Sequence, residues 1–150
     1  MDKLIQRSDE WFEARLGKVT ASRISDVVAQ TKSGYGASRA RYMGELIAET
    51  MTKTPTASYS NSAMQWGLDT EPEAADAYAF ITDAELEMVG FVNHPKIDRS
   101  GCSPDRLIGK NGLVEIKCPL THTHIETLLN GKVPKKYIDQ IQWQMACTER

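Results

Sequence analysis

A chain of 150 residues, 41% hydrophobic and 25% charged, is long enough to bury the core of a single domain. Its formal net charge of −2 excludes the global basic footprint common among nucleic-acid binders; local clusters remain, in Arg15, Lys18 and Arg23, in Arg39 and Arg41, and in Lys132, Lys135 and Lys136. The three cysteines, Cys102, Cys118 and Cys147, show no Cys-x-x-Cys spacing; this excludes a zinc site and a disulfide framework and predicts free buried thiols in a reducing compartment.

In chain order, Ser8 is placed to cap a short helix over Asp9-Glu10-Trp11-Phe12 that stops near Gly17. Thr20 or Ser22 caps the next helix, with Ile24, Val27 and Val28 as its apolar stripe. Thr31 to Gly36 reads as a polar loop, and Ser38 to Thr50 as a helix with Tyr42, Leu46 and Ile47 on one side. Lys53 to Ser60 is a loop rich in Thr, Ser and Pro. A long helix follows from about Asn61 to Ile81, kinked or begun afresh at Pro72. Glu87 to Val92 and Cys102 to Ile108 are predicted strands joined by the turn-rich Asn93-His94-Pro95, and Val114 to Cys118 is a third. Thr121 to Leu129 forms a short helix closed by Asn130-Gly131. Pro134 starts a helix that still runs at Arg150 without a stop signal, so a further C-terminal portion is expected. Trp11 and Trp66 read as core anchors, and His122 and His124 as ordinary residues at the start of a helix. No apolar stretch approaches the ~20 residues of a membrane span. Met1-Asp2-Lys3-Leu4 lacks the pattern of a secretory leader, so the expected compartment is the cytoplasm. Helices, then strands, then helices again predict one α/β domain over residues 1–150, a small central mixed β-sheet flanked by helices.

Ser103-Pro104-Asp105, followed by Glu115-Ile116-Lys117, carries the chemistry. Two carboxylates can hold a divalent cation, and an ammonium beside them can act on a water or a phosphate oxygen, which is what metal-dependent phosphodiester hydrolysis requires. On a strand, Glu115 and Lys117 share one face and Ile116 takes the other. Parity then constrains the turn that joins Asp105 to Glu115. A two-residue Asn111-Gly112 turn would pair Lys110 with Leu113 and put Asp105 on the face of Ile116, away from Glu115. A shared ion therefore predicts an odd-length loop such as Gly109 to Asn111, or a β-bulge.

Trp11-x-x-x-Arg15-x-Gly17-x-x-Thr20-Ala21-Ser22, Trp66-Gly67-x-x-x-Glu71, Ser103-Pro104-Asp105, Glu115-Ile116-Lys117-Cys118-Pro119 and Tyr137-x-x-Gln140-x-Gln142 occur in that order. Together they resemble the lambda-type phage exonuclease, or YqaJ-like viral recombinase, branch of the PD-(D/E)XK nuclease superfamily. The resemblance implies a restriction-endonuclease-like core whose C-terminal part extends past this chain. It implies Asp105, Glu115, Glu71 and the Ile116 backbone carbonyl as metal ligands, with Mg²⁺ as cofactor and Mn²⁺ as a substitute. Lys117 would orient the attacking water or stabilise charge on the phosphate, and Gln140 would line the pocket. Arg15, Ser22 and Ser103 would hold a terminal 5′-phosphate, a role that suits the bidentate guanidinium of Arg15. Arg106 departs from the pattern, in which a glycine usually follows the Asp.

The activity so implied is 5′-to-3′ degradation of one strand of duplex DNA from its end, leaving a 3′ single-stranded tail for recombination. The implied partners are double-stranded DNA ends, a single-strand annealing protein and further copies of the chain in a ring, typically a trimer, inside a phage-infected or lysogenic bacterial cell. Two alternatives stand beside it: a PD-(D/E)XK endonuclease or junction resolvase, and a DNA-end-binding recombination protein without nuclease activity.

Overall fold

Local hydrogen bonding starts the fold as its sequence predicts. In a computed structural model, which describes residues 5–56 and 61–150, the Ser8 hydroxyl accepts from the Trp11 amide at 3.3 Å and opens helix α1, Asp9–Arg15. Gly17, at a φ of +64°, ends that turn where a side chain would collide with the Thr50 hydroxyl. Strand β1, Val19–Thr20, leads into a 3₁₀ turn over Ala21–Arg23 and helix α2, Ile24–Val28. Neither predicted cap operates there. The Thr20 and Ser22 hydroxyls bond each other at 3.3 Å, and no side chain caps the turn or α2. Of the predicted stripe only Ile24 is buried, and Val28 is exposed.

The polar stretch read as a loop contains a small hairpin, β2 (Gln30–Thr31) against β3 (Gly34–Tyr35). Helix α3, Ala37–Thr52, buries Tyr42, whose hydroxyl accepts from the Thr20 amide and donates to the Lys18 carbonyl. Ile47 points outward instead of sharing that face. The predicted loop from Lys53 is described as far as residue 56, and its last four residues lie outside the described residues, as do residues 1–4. Helix α4, Ser62–Thr82, is capped by Asn61 and runs through Pro72 as one element. Trp66 on it is half exposed and anchors no core.

The strands differ most from expectation. Glu87 to Val92 splits into β4, Leu86–Glu87, and β5, Val92–Asn93; Cys102 to Ile108 splits into β6, Ser100–Cys102, and β7, Arg106–Ile108. Strand β6 pairs parallel with β1 and antiparallel with β5, whereas β7 pairs antiparallel with β4 and with β8, Gly112–Val114. The chain changes sheets at Ser103-Pro104-Asp105, where Pro104, which has no N–H to give a ladder, is fully buried. The central sheet is thus two three-stranded sheets flanked by helices, within the mixed α/β class expected.

Helix α5, Thr121–Asn130, closes on Gly131 at φ +60°, and helix α6, Lys135–Thr148, follows Pro134. The helix stops at Thr148, because Glu149 turns left-handed at φ +55°. The Arg150 guanidinium then donates to the Gly109 and Gly112 carbonyls at 2.9 Å each, clasping the β7–β8 turn. Between α6 and the β1–β6–β5 sheet lies a small core of Ala21, Cys102 and Cys147, against which Val92 and Trp143 pack. The neighbouring Cys147 thiol and burial together hold Cys102 protonated. Cys118 is only partly buried. Among the described residues no helix is long and apolar enough to cross a membrane.

Candidate active site

The β7–β8 hairpin sets the site. Its pairs are Ile108 with Gly112, Leu107 with Leu113 and Arg106 with Val114, so the loop is the three residues Gly109 to Asn111 that parity required. The next position outward opposes Asp105 to Glu115, and both side chains line one cavity. Neither residue lies within the ladder. The predicted strand ends at Val114, because the Ile116 amide leaves the backbone pattern and donates to the Asp105 carboxylate at 2.6 Å. That bond fixes one carboxylate oxygen relative to the segment carrying the other.

Glu115 is the most constrained acid, its side chain only 6% exposed. The Lys117 ammonium and the Gln140 amide both donate to its Oε1, and the Gln144 amide donates to Oε2 at 2.6 Å. Gln140 and Gln144 lie one turn apart on α6, so one helix face supplies both amides. Gln144 is fully buried, and its Oε1 accepts from nothing within the described protein. Its spacing from Gln140 was the signal available in the sequence, where only Gln140 and the exposed Gln142 were singled out.

Glu71 reaches the same cavity from α4, but it is engaged by cations. Arg7 meets its Oε2 at 3.3 Å and Arg106 approaches its Oε1 at 3.6 Å. Arg106 is mostly buried and also donates to the Asp105 carbonyl at 2.6 Å. The residue that replaces the usual glycine therefore ties the Asp105 backbone to Glu71. Nothing in the sequence pointed to Arg7, which lies 64 residues from its partner.

Ser103 gathers the opposite wall. Its hydroxyl accepts from the Trp11 indole at 2.9 Å and from Arg15 at 3.3 Å. The Arg15 guanidinium stacks on the Trp11 ring at 4.0 Å, so Trp11 is a support for the site and not a core anchor. Burial lowers the pKa of Arg15, although a guanidinium remains cationic. Ser22 opens onto the same cavity from the 3₁₀ turn. Gln6 braces the segment from behind, donating to the Pro104 and Val89 carbonyls at 2.8 Å each.

All eight side chains singled out in the sequence, Arg15, Ser22, Glu71, Ser103, Asp105, Glu115, Lys117 and Gln140, line this one cavity of about 260 Å³. Its charge suits a divalent cation. Burial first, then the Glu115 and Glu71 carboxylates, push the Asp105 carboxyl up to about 7, and the Ile116 and Lys117 interactions offset this only in part. Surplus negative charge on hard oxygen donors is what Mg²⁺ or Mn²⁺ relieves. Among the described residues no three His, Cys, Asp or Glu side chains stand as a finished metal cage, since Glu71 faces its two arginines. The residues that fit an ion are Asp105 and Glu115, with Glu71 able to join on leaving its arginines. His94 serves elsewhere, accepting from the Lys96 and Ile97 amides at Nδ1 and packing on Trp143.

Residues 10–150 match the family model of the YqaJ-like viral recombinase domain. The chain is similar to two solved structures of LHK-Exo, an alkaline exonuclease from Laribacter hongkongensis. One, in complex with dAMP, is 52% identical with a TM-score of 0.86, and the other is 51% identical with the same TM-score. In both, the match covers 95% of this chain and 70% of the other. No curated protein matches it.

Proposed function

This chain belongs to the YqaJ-like viral recombinase domain family, and we propose that it is a metal-dependent 5′-to-3′ exonuclease acting on double-stranded DNA ends. In this reading it is encoded by a phage or prophage, acts in the cytoplasm of the host cell, and leaves 3′ single-stranded tails for an annealing protein. The observation that carries the reading is the single cavity in which an anion cradle, Arg15, Ser22 and Ser103, adjoins the acids and Lys117. The likeness to an alkaline exonuclease captured with dAMP supports it.

The cradle acts on the strand end. The Ser103 oxygen accepts from Trp11 and Arg15, which leaves its own proton to donate to a terminal phosphate oxygen. Arg15, held flat by Trp11, offers its remaining donors as a bidentate clamp. With the end so anchored, the first phosphodiester is placed against the acids and Lys117. Asp105 and Glu115 would hold a divalent cation, which would supply Lewis acidity and a water of lowered pKa. Gln140 and Gln144 hold the two Glu115 oxygens in a fixed orientation through their amide donors. Lys117 swings between Glu115 and the developing charge as a movable point cation. A junction resolvase or internal endonuclease has no use for a cradle aimed at a strand end, so the cradle disfavours that alternative.

The test is hydrolysis of linear duplexes bearing 5′-phosphate or 5′-hydroxyl ends, with Mg²⁺ or with chelator. Mg²⁺-dependent release of mononucleotides, faster on phosphorylated ends and with that preference reduced in Arg15→Ala, is expected. No divalent-dependent hydrolysis, or an end preference unaltered by Arg15→Ala, overturns the reading.

A further inference from the structure

A second, larger groove of about 890 Å³ lies between α5 and α6 and meets the first cavity at two residues, Glu115 and Lys117. The cradle of Arg15, Ser22 and Ser103 lines only the smaller cavity. A strand whose 5′ end sat on the cradle would reach Glu115 and Lys117 at its first phosphodiester. The rest of the strand then has to leave on the far side, where this groove opens.

The groove has the chemistry of a nucleotide track. Tyr137 carries two ammonium groups near its ring, Lys117 at 5.1 Å and Lys136 at 4.9 Å from the ring centre. An aromatic ring with cations close by can take the plane of a base and the phosphates next to it. Lys132 adds a further cation from the loop before α6. Neither Lys132 nor Lys136 pairs with an acid among the described residues, although the chain as a whole is net negative. The acids lining the groove are Glu126 on α5 and Glu115 at its mouth.

We propose that this groove binds the DNA strand on the 3′ side of the bond being cut, with a base stacked on Tyr137 and phosphates paired with Lys132 and Lys136. The proposal rests on the nuclease reading above and extends it to a site that the family match does not assign. It places the strand end and the strand body on opposite sides of Glu115 and Lys117, which would direct cleavage to the first bond.

The deciding experiment compares a 5′-phosphorylated dinucleotide, too short to fill the groove, with a 5′-phosphorylated 20-mer duplex. The wild type and a Lys132→Ala/Lys136→Ala variant, matched for melting temperature, are assayed on both. The preference for the long substrate, as a ratio of kcat/KM values, should fall by about tenfold in the variant. Binding of a labelled single-stranded 20-mer in chelator, read by fluorescence anisotropy, should lose about one unit of salt slope per lysine removed. An unaltered preference together with an unaltered salt slope overturns the proposal and leaves the groove to a protein or a second copy of the chain. Should the wild type cleave neither substrate, the nuclease reading fails, and the anisotropy slope still decides whether the groove binds a strand.

Discussion

Asp105 is the residue whose surroundings say most about the site. Burial and the nearby Glu115 and Glu71 charges lift its carboxyl from 3.8 to about 7. Without a divalent cation, the folded chain favours the protonated form. The stability this contributes is complete below the unfolded pKa and is lost as pH rises through about 7. In chelator, thermal stability should therefore decline between about pH 5 and pH 8, and Asp105→Asn should flatten the decline. Because protons and the cation compete for one carboxylate, Mn²⁺ should raise the melting temperature more at about pH 8 than at about pH 6. A Mn²⁺ shift that is equal at both values, or absent, would remove Asp105 from the ligand set. Lys117 is predicted to act without binding the ion. Lys117→Ala should lower kcat by about 10²–10⁴-fold, while calorimetric Mn²⁺ affinity stays within about threefold of wild type. Near-normal turnover in that variant would contradict the role given to Lys117.

At the scale of elements, the β7–β8 hairpin decides whether two acids can share an ion. Its three-residue loop, Gly109 to Asn111, pairs Ile108 with Gly112 and leaves Asp105 opposite Glu115. A strand that slips by one residue exchanges its faces. Inserting one glycine after Lys110 should turn Asp105 away from Glu115 and weaken Mn²⁺ binding by at least the about 10–100-fold typical of losing a supporting group. Circular dichroism would check that the helices persist, and calorimetry would measure the loss. Retained affinity would show that the hairpin register is not what joins the acids. Arg150 is well placed to hold the native register, since it bonds carbonyls on both sides of the loop. Helix α6 acts as the matching brace, presenting Gln140 and Gln144 to the two oxygens of Glu115.

For the whole molecule, the proposed activity raises the question of how a chain of net charge −2 would hold DNA. The ring that the resemblance implies would answer it by turning basic residues inward, because affinity for phosphates depends on local cations and not on net charge. Phe80 and Ile81, adjacent at the end of α4, are 90% and 79% exposed and are where a contact between copies is tested. Sedimentation equilibrium should give a particle of three times the 16.7 kDa chain, and Phe80→Glu should shift it toward the single chain. A monomer at every concentration would contradict the ring that the resemblance implies.

The chemistry of the hairpin was legible because it is local. Strand alternation put Glu115 and Lys117 on one face, and a shared ion then required, through loop parity, the odd loop that brings Asp105 opposite Glu115. The Ser8 cap, the Gly131 helix stop and the start of α6 at Pro134 were legible for the same reason, since each turns on neighbouring backbone groups. The division of the sheet was not, because Pro104 is compatible either with a strand edge or with a change of sheet, and only packing chooses. The full surroundings of the acids belong to tertiary structure alone. Arg7 meets Glu71 across 64 residues, and Gln6 meets Pro104 across 98, contacts that no local pattern encodes. Trp11 became a platform for Arg15 and not a core residue because Ser103, 92 residues away, supplies its hydrogen-bond partner. The sequence by itself determined which groups converge on one cavity and, for Glu115 and Lys117, which face they share. Packing, by bringing distant segments against them, decided their partners, and burial raised the pKa of Asp105.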